Sequence, residues 1–200
     1  MKRIALVLTV AAAACSRGEA SPGKGADLVS ARRAADMVHA ALAADRAVYT
    51  REVVQRLTAV QKVRVLDPER GEAPFEARED WKTQHGALPL PAQMFRMGAE
   101  TVIKQESGLS YLLLSPWPIN KQNRARTELE ERGLEAVTRS REPLYDSEDL
   151  GGRAYFVAIY PDVAVSPACV GCHNAHPDSP RKDFAEGDVM GAVVVRFPLE

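Results

Sequence analysis

The sequence predicts an α+β domain in which helices pack on one side of an antiparallel sheet. Residues 28–62 contain no Gly or Pro and carry hydrophobic residues at spacings of three, four and seven, which is typical of an amphipathic helix. Short apolar runs at residues 109–115, 155–160 and 189–197 are typical of strands. Because helical segments come first and the strands follow, this order favours an α+β domain.

The long N-terminal helix is expected to break near Thr50, and an irregular connection follows it. Residues 63–90 hold many charges and three prolines, with few periodic hydrophobic residues. A long loop inside a compact domain is uncommon and often has a function. We therefore expect residues 63–90 to lack regular structure.

Two further helices are expected between the connection and the later strands. Pro91 is well placed as the first residue of a helix over residues 91–103, because its fixed φ suits that position. A third helix is expected over residues 124–139, where basic and acidic residues alternate as on a solvated helix surface. Together these elements make one domain, residues 28–200.

The composition excludes some classes of partner. The chain has 200 residues, of which 46% are hydrophobic and 26% charged, and this balance is typical of a globular protein. The net charge is −1, so no overall positive field attracts nucleic acid. We expect no nucleic-acid binding.

The N-terminus is typical of a bacterial export signal. Lys2 and Arg3 precede an apolar run, residues 4–14, that is too short to span a bilayer as a helix. A basic start, a short apolar stretch and small residues before a processing point define a signal peptide. We therefore expect a signal peptide over residues 1–15 and a mature domain in the periplasm or cell envelope.

Cys15 is a candidate for lipidation. It follows a run of alanines and precedes Ser16, as in a lipobox, although a leucine is more usual where Ala12 stands. The alternative is an ordinary signal peptide whose cleavage removes Cys15. Residues 16–27 are small and polar, with Gly and Pro, which suits a flexible tether. The pattern predicts a lipid anchor, most simply to the outer membrane.

The segment PACVGCHNAHP, residues 167–177, contains the motif Cys169-x-x-Cys172-His173. This spacing is the attachment pattern of c-type haem, in which two cysteines form thioethers and the adjacent histidine ligates the iron. Small residues between the cysteines leave room for the macrocycle. Export favours this reading, because bacteria attach c-type haem outside the cytoplasm.

Two other chemistries stay open for these residues. Zinc could use Cys169, Cys172, His173 and His176, but four ligands within eight residues make a cramped tetrahedron. A disulfide between the cysteines is the second alternative. Such redox pairs normally lie at the start of a helix after a strand, whereas Pro167 and Pro177 indicate a loop here.

Several blocks of the sequence resemble a known family. They include YTREVV, ALPLPAQMF, LSPWPINKQNRARTELEERGLEAV, ACVGCH and GDVMGAVVVRFPL, in that order. These blocks resemble exported bacterial PAS-like domains with a single c-type haem, first structurally typified by a cyanobacterial member. The resemblance implies a PAS-like antiparallel sheet flanked by helices, one haem c held by Cys169 and Cys172, and His173 as proximal ligand. It also implies redox or gas sensing.

The sixth iron ligand is less well specified. Some relatives place a cysteine on the helix before the first strand of the sheet, where this chain reads PLPAQMFRMGAE. Methionine sulfur is a known haem ligand, so Met94 and Met97 are candidates, with core packing as their alternative role. His85 is a further candidate, whereas His39 is expected only to pack.

Two functions compete. Electron transfer or redox sensing requires an iron saturated by two protein ligands, whereas a diatomic-gas or small-molecule sensor requires a vacant or displaceable sixth position. We expect no enzyme, because no distal acid–base pair is evident. A zinc-stapled structural lipoprotein is the remaining alternative. The redox partner is not specified, and a homodimer through the N-terminal helix stays open.

Overall fold

The computed structural model describes residues 29–69 and 71–199. The predicted signal peptide, the lipidation site Cys15 and the tether of residues 16–27 lie outside these residues. The described part is an α+β fold of helices, a central antiparallel sheet and two small strand pairs, of which one is antiparallel and one parallel; this confirms the predicted class. None of its helices combines the length and the apolar character that crossing a bilayer requires.

The N-terminal helix changes its hydrogen-bonding pattern close to the predicted break. Helix α1, Ala31–Val48, is capped at its N-terminus by Ser30, whose side chain accepts a hydrogen bond from the Arg33 amide. A π-helix, Tyr49–Val60, continues it without a gap. Thr50 stands next to the junction and donates its hydroxyl to the Arg46 carbonyl.

The connection after this helix is more regular than predicted. It contains strand β1, Arg64–Asp67, paired with β2, Gly71–Pro74, and strand β3, Glu76–Arg78, paired with β4, Ala87–Pro89. The expectation of a wholly irregular loop is therefore wrong. No residue of these four strands is fully buried, so they have little hydrophobic periodicity to detect.

A four-stranded antiparallel sheet forms the centre of the fold, in the spatial order β5-β8-β7-β6. Its strands are β5, Ser110–Leu114; β6, Leu144–Leu150; β7, Arg153–Val163; and β8, Val189–Pro198. Strand β6 is largely polar and was not predicted from the sequence. Gly151 and Gly152, both with positive φ, form the two-residue turn that joins β6 to β7.

Two helices flank the sheet at the predicted positions. Helix α2, Pro91–Ile103, has the predicted bounds. Helix α3, Glu128–Ser140, starts four residues later than expected, because the Thr127 side chain caps it by accepting from the Glu130 amide. Arg124 is extended, so the first predicted residues of this helix lie outside it.

Helices cover both faces of the sheet, so the prediction of helices on one side is wrong. Helices α1 and α2 pack on one face, and α3 packs on the other. Strands β7 and β8 bury side chains in both directions, and their apolar runs are therefore continuous rather than alternating. In these two strands, the buried residues that pack toward α1 and α2 are Ala158, Tyr160, Val193 and Val195. Those that pack toward α3 are Val157, Ile159, Ala192 and Val194.

Candidate functional site

The cysteine motif forms a short helix, not the loop that its flanking prolines suggested. Helix α4, Pro167–Ala175, directly follows strand β7. Pro167 occupies the first turn, where its missing N–H costs no hydrogen bond. The Ser166 side chain caps the helix by accepting from the Ala168 amide, and its last turn closes where the His176 amide donates to the Cys172 carbonyl.

The start of helix α4 is fixed by buried hydrogen bonds. Ser166 is 1% exposed, and its hydroxyl donates to Oε1 of Gln55 on the π-helix at 2.8 Å. Ala164 exchanges two backbone hydrogen bonds with the segment before β8, through Gly187 and Asp188. The cysteines therefore project from a helix whose origin is anchored to two other parts of the fold.

His173 is held edge-on against Phe184. The ring centroids lie 5.9 Å apart, and the rings are perpendicular. The next residue, Asn174, fixes Phe184 by donating to its carbonyl at 2.9 Å and accepting from its amide at 3.0 Å. Trp117 packs against the other side of this cluster, with its ring 5.6 Å from that of Phe184. The aromatic support therefore limits the orientation of the imidazole.

The His173 imidazole is available to a ligand. Its Nδ1 atom is buried and has no hydrogen-bond partner among the described residues. Burial, and secondarily the neighbouring His176, lower the pKa of His173. The ring is consequently neutral near pH 7, and a neutral imidazole keeps one nitrogen lone pair for a metal.

The two cysteines differ in environment. In the described part of the chain both are free cysteines, with Cys169 half-buried and Cys172 exposed. Cys169 packs with Val170 against the small cluster of Ala164, Phe184 and Met190. Desolvation raises the pKa of the Cys172 thiol, and the Glu79 carboxylate and Cys169 raise it further. Cys172 is therefore a protonated thiol at neutral pH.

Open space lies over the residues between the cysteines. A Cβ added at Gly171 would meet no atom of the described residues within 4 Å. The site thus combines two thiols, a neutral imidazole with an orphaned buried nitrogen, apolar support and an uncovered face. This donor set and this space fit a covalently attached haem.

The zinc alternative gains no support from the geometry. His176 accepts a hydrogen bond from the Asp178 amide at Nδ1, and its Nε2 lies 3.5 Å from the Glu79 carboxylate. These contacts of His176 were not predicted from the sequence. Over residues 29–69 and 71–199, no three His, Cys, Asp or Glu side chains are arranged to hold a metal ion.

The disulfide alternative needs a correction. The loop expected around the motif disfavoured a disulfide, but the motif instead lies on a helix that follows a strand. One observation still counts against a redox disulfide. Helix α4 directs an imidazole, which a disulfide does not require, onto fixed aromatic support.

The sixth-ligand candidates lie on two other segments. Met94 and Met97 are half-buried on helix α2, on either side of the buried Phe95. His85 is exposed in the turn before β4. Their ligation stays a prediction. His39 packs as expected, because its ring stacks on Tyr160 at 3.8 Å and burial lowers its pKa to about 4.

Sequence reasoning missed a buried ion pair beside the site. Arg46, near the end of α1, donates through both terminal nitrogens to Asp162 near the end of β7, with Nη1 2.9 Å from Oδ2. The two side chains are 17% and 16% exposed. They are 116 positions apart in the sequence, so no local pattern pairs them.

Comparison with known proteins assigns the chain to a family. The family model described as Tll0287-like matches residues 28–198. The chain belongs to the Tll0287-like family. The resemblance drawn from the sequence blocks is therefore confirmed. One similar solved structure, titled "Crystal structure of the cyanobacterial heme-protein Tll0287", is 15% identical with a TM-score of 0.46; the match covers 82% of this chain and 96% of that chain. No curated protein matches this Tll0287-like chain.

Proposed function

We propose that this protein is an exported c-type haem protein that acts in electron transfer or redox sensing. The observation that carries the proposal is the constellation on helix α4. Cys169, Cys172 and His173 lie within five residues of one capped helix, beneath an open face at Gly171. Family membership supports the same cofactor, because Tll0287 is itself described as a heme-protein.

The residues of helix α4 would hold one haem c. Cys169 and Cys172 supply thiols for the two thioether bonds, and His173 supplies the proximal ligand. Phe184 and Asn174 orient the imidazole, while Ser166 and Gln55 fix the start of the helix. When bound, the haem iron supplies one-electron chemistry. The surrounding protein would orient the iron ligands and determine the electrostatic potential at the iron.

The sixth ligand decides between the two functions. Met94 or Met97 would saturate the iron and favour electron transfer, because a thioether ligand raises the potential. His85 would also saturate it. An open or displaceable position would instead give a sensor of diatomic gases or small molecules. No distal acid–base pair was recognised in the sequence, so we do not propose an enzyme.

The proposed setting is the cell envelope. A signal peptide over residues 1–15 and lipidation at Cys15 would anchor the domain to the outer membrane, with residues 16–27 as tether. The electrons would pass to or from a separate redox protein. We also propose that the fold is PAS-like. The four-stranded antiparallel sheet and its flanking helices support this part of the proposal.

Absorption spectra of the protein matured with a haem-attachment system test this function. We expect a low-spin spectrum in both oxidation states that carbon monoxide leaves unchanged. A weak iron–sulfur charge-transfer band in the ferric form, lost in Met94→Leu or Met97→Leu, would identify the ligand. Rapid carbon monoxide binding by the reduced protein would support the sensor and contradict electron transfer. Absence of haem would overturn both.

A further inference from the structure

Arg46 places a buried positive charge between the N-terminal helix and the sheet, close to the cysteine helix. It comes from α1 and binds Asp162, which lies on strand β7 just before a register shift between Asp162 and Val163. Asp162 lies four positions before Ser166, the cap of helix α4. The pair therefore lies next to the point where the chain leaves the sheet and enters α4.

Contacts with neighbouring elements keep the pair in place. The Arg46 guanidinium lies 5.8 Å from the Phe95 ring centroid on α2, and Thr50 donates to the Arg46 carbonyl. Nine residues along the same helix, Gln55 accepts from Ser166. Burial lowers the pKa of Arg46, and an electrostatic interaction with the Cys169 side chain opposes that effect. The guanidinium and the Cys169 side chain are thus within electrostatic range of each other.

We infer that the Arg46–Asp162 pair sets the reduction potential of the haem attached to helix α4. This inference rests on the proposed function. Reduction of the iron lowers the local positive charge by one, so a nearby cation favours the reduced form and a nearby anion favours the oxidised form. Solvent and salt screen such interactions weakly where the charges are buried. The two members of the pair act in opposite directions.

Two single substitutions separate these contributions. Arg46→Gln leaves the Asp162 carboxylate uncompensated, and the ferrous-to-ferric ratio at a fixed ambient potential should fall about tenfold, equivalent to about 59 mV for one electron. Asp162→Asn leaves the guanidinium uncompensated, and the ratio should rise by a similar factor. The double variant should return close to the wild-type ratio, and Arg46→Lys should preserve it.

The measurement is a spectroelectrochemical titration of purified protein in which covalent haem has first been verified. Arg196→Gln, at a second buried ion pair, is the matched control and should leave the ratio unchanged. The inference is overturned if Arg46→Gln and Asp162→Asn leave the ratio unchanged or shift it in the same direction. If Arg46→Gln does not fold, Asp162→Asn and Arg46→Lys decide. Wild-type protein without covalent haem would overturn the proposed function instead.

Discussion

Two buried arginines lie on opposite faces of the same sheet, and their surroundings differ. Arg46 pairs with one carboxylate, Asp162, on the face covered by α1 and α2. Arg196 pairs with two carboxylates, Glu130 of α3 and Glu148 of β6, on the opposite face. The side chains of this second cluster are at most 11% exposed. The two arginines also lie at different distances from helix α4, which suggests that they have different roles.

The register of the sheet separates the two clusters along β7. Arg196 lies opposite Val157, and Asp162 lies opposite Gly191. Five residues of strand between Val157 and Asp162 correspond to about 17 Å. Arg196 therefore lies near the end of β8 that points away from helix α4, where it ties α3 to the sheet edge. The Arg196 cluster therefore stabilises the fold away from the candidate site, whereas the similar Arg46–Asp162 pair adjoins that site.

The largest expected effect on stability comes from removing Arg196. Arg196→Gln leaves two buried carboxylates close together without a cation, and we expect it to lower the free energy of unfolding by about 3–5 kcal/mol. Arg46→Gln isolates one carboxylate and should cost less. Urea unfolding of the two purified variants measures the difference. A larger loss for Arg46→Gln would contradict this account of the two clusters.

A smaller, pH-dependent effect is expected from His39 on the Arg46 face. The folded ring has a pKa of about 4, lowered first by burial and then by Arg46, whereas an unfolded histidine titrates near 6.5. Between these values only the unfolded chain binds the proton, so stability falls as the pH decreases through this range. Because the ring is only half-buried, we expect a loss of about 1–2 kcal/mol.

His39→Phe is the matched variant, because it keeps a ring to stack on Tyr160 but cannot take up a proton. Its stability should decline less than that of the wild type between about pH 7 and pH 4.5, a range that spans most of the titration. Urea midpoints at several pH values measure this. Parallel declines in the two proteins would show that His39 does not titrate as described.

The fold could be predicted where local patterns carry the signal. Pro91 marked the start of α2, and the apolar runs within β7 and β8 marked those strands. Strand β6 was missed because its polar sequence pairs at the sheet edge, although the Gly151-Gly152 turn was a usable hairpin signal. The continuous apolar runs of β7 and β8 are a signal of burial on both faces, which the prediction of helices on one side overlooked.

The candidate site likewise combines residues that could be predicted from the sequence with residues that could not. Cys169, Cys172 and His173 are adjacent in the chain, so their spacing alone indicated their chemistry. The helical form of the motif was obscured by its short length and flanking prolines. Arg46 and Asp162 come together only through packing of α1 on the end of β7, and such a long-range pairing has no local sequence signal.

Covalent haem attachment is the most direct test of the central claim. Intact-mass spectrometry and the pyridine haemochrome of protein matured with a haem-attachment system should show one haem per chain with a c-type spectrum. Cys169→Ser combined with Cys172→Ser should abolish the mass increase while the protein remains folded, and His173→Ala should alter the iron spectrum. A pigment of unchanged mass and spectrum in the double cysteine variant would contradict the assignment of helix α4.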